Sequence, residues 1–141
     1  MEKFHLTELA NKLFMYTDAQ RWQDLLDEVF VEELWFDMSS AGGGELRKLK
    51  AVELCDMWAE GFKGLDEVHH QAGHYLIDVR KEEASIFAYA VAYHYKNSAA
   101  NGKTRVFVGS YDLNAINTSK GWRLNQFKYN LKFIDGNTNL E

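Results

Sequence analysis

The feature that most restricts the fold is a change of hydrophobic period at Val68. Before it, apolar residues recur at three- and four-residue steps; after it, they alternate with a period near two until about residue 134. A chain that is helical in its first half and extended in its second keeps its helices apart from its strands. That arrangement defines an α+β domain with N-terminal helices packed on an antiparallel sheet.

In the helical half, Leu6, Leu9, Leu13 and Tyr16, widened by Ala10 and Phe14, place an amphipathic helix over residues 2–17. Asp18-Ala19-Gln20 interrupts the pattern. Trp22, Leu25, Leu26, Val29 and Phe30 restart it, so a second helix begins near Arg21. Leu34-Trp35-Phe36 is strand-like, and the run Ser39 to Gly44 reads as a flexible loop. Its three glycines lack the Gly-Lys-Ser/Thr or G-x-G-x-x-G context of a phosphate cradle. Ala51, Leu54, Cys55, Trp58, Gly61, Phe62 and Leu65 define a third helix between residues 49 and 65, with Gly64 placed to end it. Strands are expected over 68–80, 84–96, 104–116 and 121–134. Residues 1–134 read as a single domain and 135–141 as a flexible tail.

A formal net charge of −5 argues against a nucleic-acid partner, which requires a basic footprint. The single cysteine, Cys55, has no internal disulfide partner, and it falls on the apolar side of the third helix, where packing is its expected role. The opening MEKFHLTEL lacks the apolar run of a signal peptide, and no stretch approaches a membrane-spanning length. A reducing, cytoplasmic setting and no membrane partner are expected.

The stretch VHHQAGHYLIDV puts three of the five histidines on a segment whose neighbours are apolar. A buried imidazole needs a partner or a job, which makes His70 the centre of interest. A shared metal is disfavoured, because four residues of extended strand set His70 and His74 roughly 13 Å apart. His69 points the opposite way, and His5 lies near an exposed terminus. In the next strand Ile86, Ala88, Ala90, Ala92 and His94 share one face, while Phe87, Tyr89, Val91, Tyr93 and Tyr95 share the other. The small residues either make room for a cavity or accept a closely packed helix; the tyrosines opposite them point to a homodimer.

Hairpin register decides whether the two histidines meet. A three-residue loop sets His70 opposite His94, whereas a two-residue loop of Glu82-Glu83 sets it opposite Tyr95 and turns His94 away. Asp18, at the end of the first helix, faces the negative end of the helix dipole. It either caps the second helix through the amides of Gln20 or Arg21, or meets a histidine. Trp58 and Phe62, one turn apart, are core or pocket wall. In the last strand the apolar phase moves from Trp122 and Leu124 to Phe127, Tyr129 and Leu131, as a bulge would produce.

Three segments in this order, YTDAQRW running into WQDLLDEVF, HHQAG opening a strand, and VFVGSYDL followed by GWRL, resemble the SnoaL-like, scytalone dehydratase-like branch of the NTF2-like superfamily. The resemblance covers nearly the whole chain and implies a cone-shaped fold. It further implies an acid–base apparatus of Asp18 with His70 and His94, and a pocket that includes Thr17, Met38, Tyr111, Phe127 and Tyr129. Two substrate-holding tyrosines of scytalone dehydratase are replaced here by Thr17 and Met38, and a pocket asparagine by Tyr111, so the resemblance does not extend to that enzyme's own substrate.

The expected function is a dehydratase-type lyase or an isomerase that acts on a small hydrophobic or cyclic molecule, with no metal and no cofactor. A non-catalytic ligand-binding or dimer-forming module is the alternative. Asp18 bonded to a histidine that opens into a cavity of several hundred cubic ångströms favours the enzyme. Aromatics filling the cone, with His70 and His94 on opposite faces, favour the module.

Overall fold

The computed structural model describes residues 1–141. In chain order it contains α1 (Glu2–Asp18), α2 (Trp22–Glu28), β1 (Phe30–Asp37), β2 (Arg47–Lys50), α3 (Ala51–Gly61), β3 (Glu67–Arg80), β4 (Glu83–Tyr95), β5 (Thr104–Thr118) and β6 (Gly121–Gly136). Three helices pack on a curved, unclosed sheet of six strands in the order β2-β1-β6-β5-β4-β3.

The face of α1 that carries Leu6, Leu9, Ala10, Leu13, Phe14 and Thr17 is buried, which is the stripe its periodicity requires. Gln20, at φ 54°, then reverses the chain. The second helix stops at Glu28, short of its expected end. Phe30 instead opens β1 opposite Leu124, and Leu124 N–H donates to Val29 C=O at 2.7 Å. The sheet also departs from the all-antiparallel expectation, since β1 and β6 start at the same end and run parallel, with Phe36 beside Phe127. Gly64, at φ 83°, lies in the turn beyond α3 and does not cap it.

Long antiparallel pairs join β3 to β6, and their bulges decide which residues face inward. Arg80 pairs with Glu83 around a two-residue loop, Lys81-Glu82, in a register different from either expected one. Continued without interruption, it sets His70 opposite the outward-facing Tyr93. Between Gly73–Tyr89 and Leu76–Phe87, however, His74 and Tyr75 together oppose Ala88. His74 takes φ 54° in this bulge. The extra residue reverses the phase, so His70 pairs with Ala92 and His94 with Val68. The two histidines therefore share the inner face, one inward position apart. His74 turns outward against Tyr89, with ring centroids 5.7 Å apart, so it does not share a face with His70. In β6 the expected change of phase is present, with Asn125 as the extra residue between Gln126–Asn114 and Leu124–Ala115.

A core of 24 buried residues fills the space between helices and sheet. Ala84, Ile86 and Ala90 form its β4 floor, with Ala88 and Ala92 also buried on that face, while Tyr89 and Tyr93 remain 42% and 43% exposed on the outer face. The glycine-rich segment is folded down and not extended. The Ser40 hydroxyl donates to Tyr129 C=O at 2.8 Å and accepts from Leu131 N–H at 2.9 Å, and a side chain at Gly43 would meet Met38 Cβ at 2.5 Å. The terminal residues, expected to fray, are tied to β5 and the β4–β5 turn. Asn137 N–H donates to Thr104 C=O, Asn101 N–H donates to the Glu141 backbone oxygen, and Leu140 is 3% exposed. No helix is long and apolar enough to cross a membrane.

Candidate functional site

The end of α1 and the inner face of β3 meet at one carboxylate. Asp18 Oδ1 lies 2.6 Å from His70 Nδ1, and Asp18 Oδ2 accepts the His70 backbone N–H at 2.9 Å. These two bonds supply the compensation that a carboxylate at a helix C-terminus needs. They also exclude the capping role, because α2 has no side-chain cap. A carboxylate has only lone pairs to offer, so the proton on Nδ1 belongs to the imidazole, and in the neutral ring the Nε2 lone pair is free. Phe14 braces the ring, its centroid 5.6 Å from that of His70. Side-chain exposure is 17% for Asp18 and 11% for His70, so the pair is shielded from water.

His94 has the opposite arrangement. Its strand partner is Arg105, whose Nη2 and Nε lie 2.8 and 3.3 Å from His94 Nδ1. Burial, helped by the Arg105 charge and by His70, pushes the His94 pKa down to about 4, against a smaller opposing effect from Asp18. The ring is held between Phe62 and Phe107 at centroid distances of 5.9 and 5.1 Å.

Both histidines open into one cavity of about 170 Å³. Its wall includes Thr17, Met38, Trp58, Phe62, Tyr111, Phe127 and Tyr129, whereas Leu131, which the resemblance places in the same cavity-lining set as Phe127 and Tyr129, lies outside it. Asp18 lies behind His70 and outside that wall. The cavity is smaller than the several hundred cubic ångströms expected, because Tyr111, Tyr129, Trp58 and Phe127 pack against one another in tilted and edge-on pairs at centroid distances of 4.8 to 5.4 Å and take up part of the space. The Thr17 hydroxyl donates to Leu13 C=O at 2.6 Å, so its proton is spent within α1. The Tyr129 hydroxyl is buried without a partner, and burial pushes its pKa up to about 12. Burial also raises Tyr111, with further contributions from Tyr129 and Asp18.

Cys55 is 3% exposed, and burial, with Asp56 nearby, pushes its thiol up to about 11; it is packing and not a nucleophile. No group of three His, Cys, Asp or Glu side chains is placed to hold a metal ion. Leu13, Phe14, Ala92 and Phe107 also line the cavity, and Arg105 stands behind it. Arg105 was detectable in principle: it is the charged member of the alternating set Arg105, Phe107, Gly109, Tyr111 and Leu113.

A curved mixed sheet wrapped by helices around an apolar pocket defines the NTF2-like class of α+β cones. Within that class the chain belongs to the SnoaL-like domain family, whose profile matches residues 5–128. Among solved structures, the Kfla4162 protein of Kribbella flavida is similar at a TM-score of 0.93 and 23% identity, covering 99% of this chain and 95% of that one. A candidate scytalone dehydratase from Novosphingobium aromaticivorans is similar at 0.80 and 12%, covering 95% and 86%. An NTF2-like superfamily protein of Salmonella enterica is similar at 0.76 and 14%, covering 92% and 89%. At these identities the likeness is one of fold. A search of curated proteins finds no match to the sequence.

Proposed function

We propose that the protein is a small-molecule lyase of the dehydratase type, or an isomerase, in which the Asp18–His70 pair moves a proton at a carbon next to a carbonyl. The observation that carries this reading is the 2.6 Å bond between Asp18 and His70 at the wall of an apolar cavity. A general base must be oriented, desolvated and able to reach its proton. Asp18 fixes the ring through both the side chain and the backbone amide of His70, leaving Nε2 as the free nitrogen. The likeness to a candidate dehydratase supports the same chemistry. A cavity of about 170 Å³ suits one ring, since an engineered apolar cavity of about 150 Å³ holds benzene.

Proton exchange tests this without the natural substrate. In heavy water, the native protein should accelerate deuterium uptake next to the carbonyl of small cyclic ketones, measured by NMR. His70→Ala, and separately Asp18→Asn, should keep the fold and lose the acceleration. Exchange at the native rate in either variant removes that residue from the mechanism.

The small size of the cavity favours a second reading, a binding or dimer-forming module without turnover. In that case cyclic ketones bind, but no exchange follows. For either reading we propose a cytoplasmic homodimer joined through the outer sheet face, where Leu76, Tyr89 and Tyr93 stand exposed. A monomer at micromolar concentration in sedimentation excludes that dimer.

A further inference from the structure

We infer that Arg105 is a positioning residue that fixes His94 as a neutral imidazole with its N–H at Nε2, so that the second histidine donates a hydrogen bond to a substrate oxygen and carries no positive charge. A guanidinium has five N–H groups and no lone pair to accept with. Whichever ring nitrogen faces it must therefore be bare. Arg105 reaches the same nitrogen twice, at 2.8 and 3.3 Å, across a directly paired position of β4 and β5. The guanidinium is itself held, donating from Nη1 to Thr138 C=O at 3.2 Å and lying 5.4 Å from the Phe107 ring centroid.

Protonating His94 at that nitrogen would break both bonds and set two cations against each other between aromatic rings. The other charged and titratable groups near it are His70 on β3 and Asp18 at the end of α1. Only Asp18 favours a charged ring, and its carboxylate is committed to His70 by two hydrogen bonds. Burial and Arg105 together outweigh it. The two imidazoles are thus set in opposite tautomers by opposite partners, a carboxylate on Nδ1 of one and a guanidinium on Nδ1 of the other.

The chemical consequence rests on the proposed acid–base reading, although the tautomer does not. The substrate class becomes a cyclic ketone or hydroxyketone whose oxygen accepts from His94 Nε2–H. His70 Nε2 takes the proton from the adjacent carbon. The C–H pair becomes a C=C bond, and the carbonyl π pair moves to the oxygen, where His94 holds it as an enolate. Collapse of the enolate re-forms the carbonyl and expels a hydroxyl from the next carbon. The departing oxygen takes the proton back from His70 as water leaves. No oxidant or further co-reactant is required.

The test is imidazole ¹⁵N NMR on the full chain, which separates the two tautomers and the cation by their shifts. The expected result is an unprotonated Nδ1 and a protonated Nε2 at His94, unchanged from pH 7 down to pH 5. Arg105→Met should raise the His94 titration midpoint by about one pH unit or more and mix its tautomers. Arg105→Lys, which still donates to Nδ1, should restore the single tautomer. A native spectrum with a proton on His94 Nδ1 overturns the inference whatever the variants do. So does a native tautomer that persists in folded Arg105→Met; if that variant does not fold, a mixed tautomer in Arg105→Lys overturns it. The native tautomer can be as assigned while His70→Ala keeps full exchange activity, in which case the proposed function fails and the inference about Arg105 stands.

Discussion

Acid should destabilise this protein through one buried ring more than through any surface histidine. His94 is held neutral, with its pKa near 4, whereas in the unfolded chain it takes up a proton near 6.5. Below pH 6.5 the unfolded state therefore binds more protons than the folded one, and stability falls with falling pH until the folded ring also titrates. The gap between 6.5 and 4 amounts to about 3 kcal/mol, lost progressively across that window and absent above it. Urea unfolding followed by tryptophan fluorescence at pH 7 and pH 4 measures the loss, and His94→Gln provides the reference. The amide accepts from Arg105 and donates toward the cavity but has no titration of its own. Carboxylates held low in the fold, such as Asp37 beside Ser39 and Glu28 beside Lys12, lose stability equally in both proteins and cancel in the difference. Native protein should lose about 3 kcal/mol more than His94→Gln between the two pH values. Equal losses refute the claim that the fold holds His94 neutral.

Three further outcomes follow from the packing. Tyr129→Phe removes a buried hydroxyl that has no partner and should stabilise the free protein by about 1 kcal/mol, raising Tm by roughly 2–4 °C in a thermal melt; a lower Tm shows that the hydroxyl is satisfied. Gly109→Ala drives a Cβ into Asn130 C=O and to 2.6 Å from the Tyr129 hydroxyl, and should cost about 1–3 kcal/mol in urea unfolding, so an unchanged midpoint rejects the crowding. Ala92→Leu adds bulk at the cavity wall beside His94 and should abolish calorimetric binding of a cyclic ketone while far-UV circular dichroism stays native; retained binding places the ligand elsewhere.

Periodicity located the long elements well because it reports burial on one face, and the face of β4 that carries Ala88, Ala90 and Ala92 is the clearest case. It failed where the deciding contacts are distant in sequence. Val29 and Phe30 continue the helical spacing of Trp22 and Leu25, yet Val29 closes α2 as its C-cap and pairing with Leu124 draws Phe30 into extended chain. Strand β2, Arg47–Lys50, has one buried residue, Leu49, and three charged ones, too little for any pattern to register. The site residues Asp18, His70 and His94 were legible as types in apolar settings. Their meeting on one face was not, since it depends on a bulge in which His74 takes φ 54° in the middle of a strand, a local irregularity that periodicity does not reveal. Arg105 is not legible as a site residue because a cation in a strand ordinarily lies at the surface.

The amide that Asp18 occupies belongs to β3, the last strand of the sheet, which pairs only with β4. An unpaired strand rim is a template on which other chains can add, and proteins protect such rims with charge and with covering segments. Asp18 blocks one donor of that rim, and about two turns earlier on the same helix Asn11 takes the Tyr75 hydroxyl at 2.6 Å. The carboxylate that orients the His70 imidazole therefore also covers part of the open rim. Substituting it should show up as light scattering in concentrated samples and, under the proposed function, as lost turnover too, which would link solubility to chemistry at a single residue.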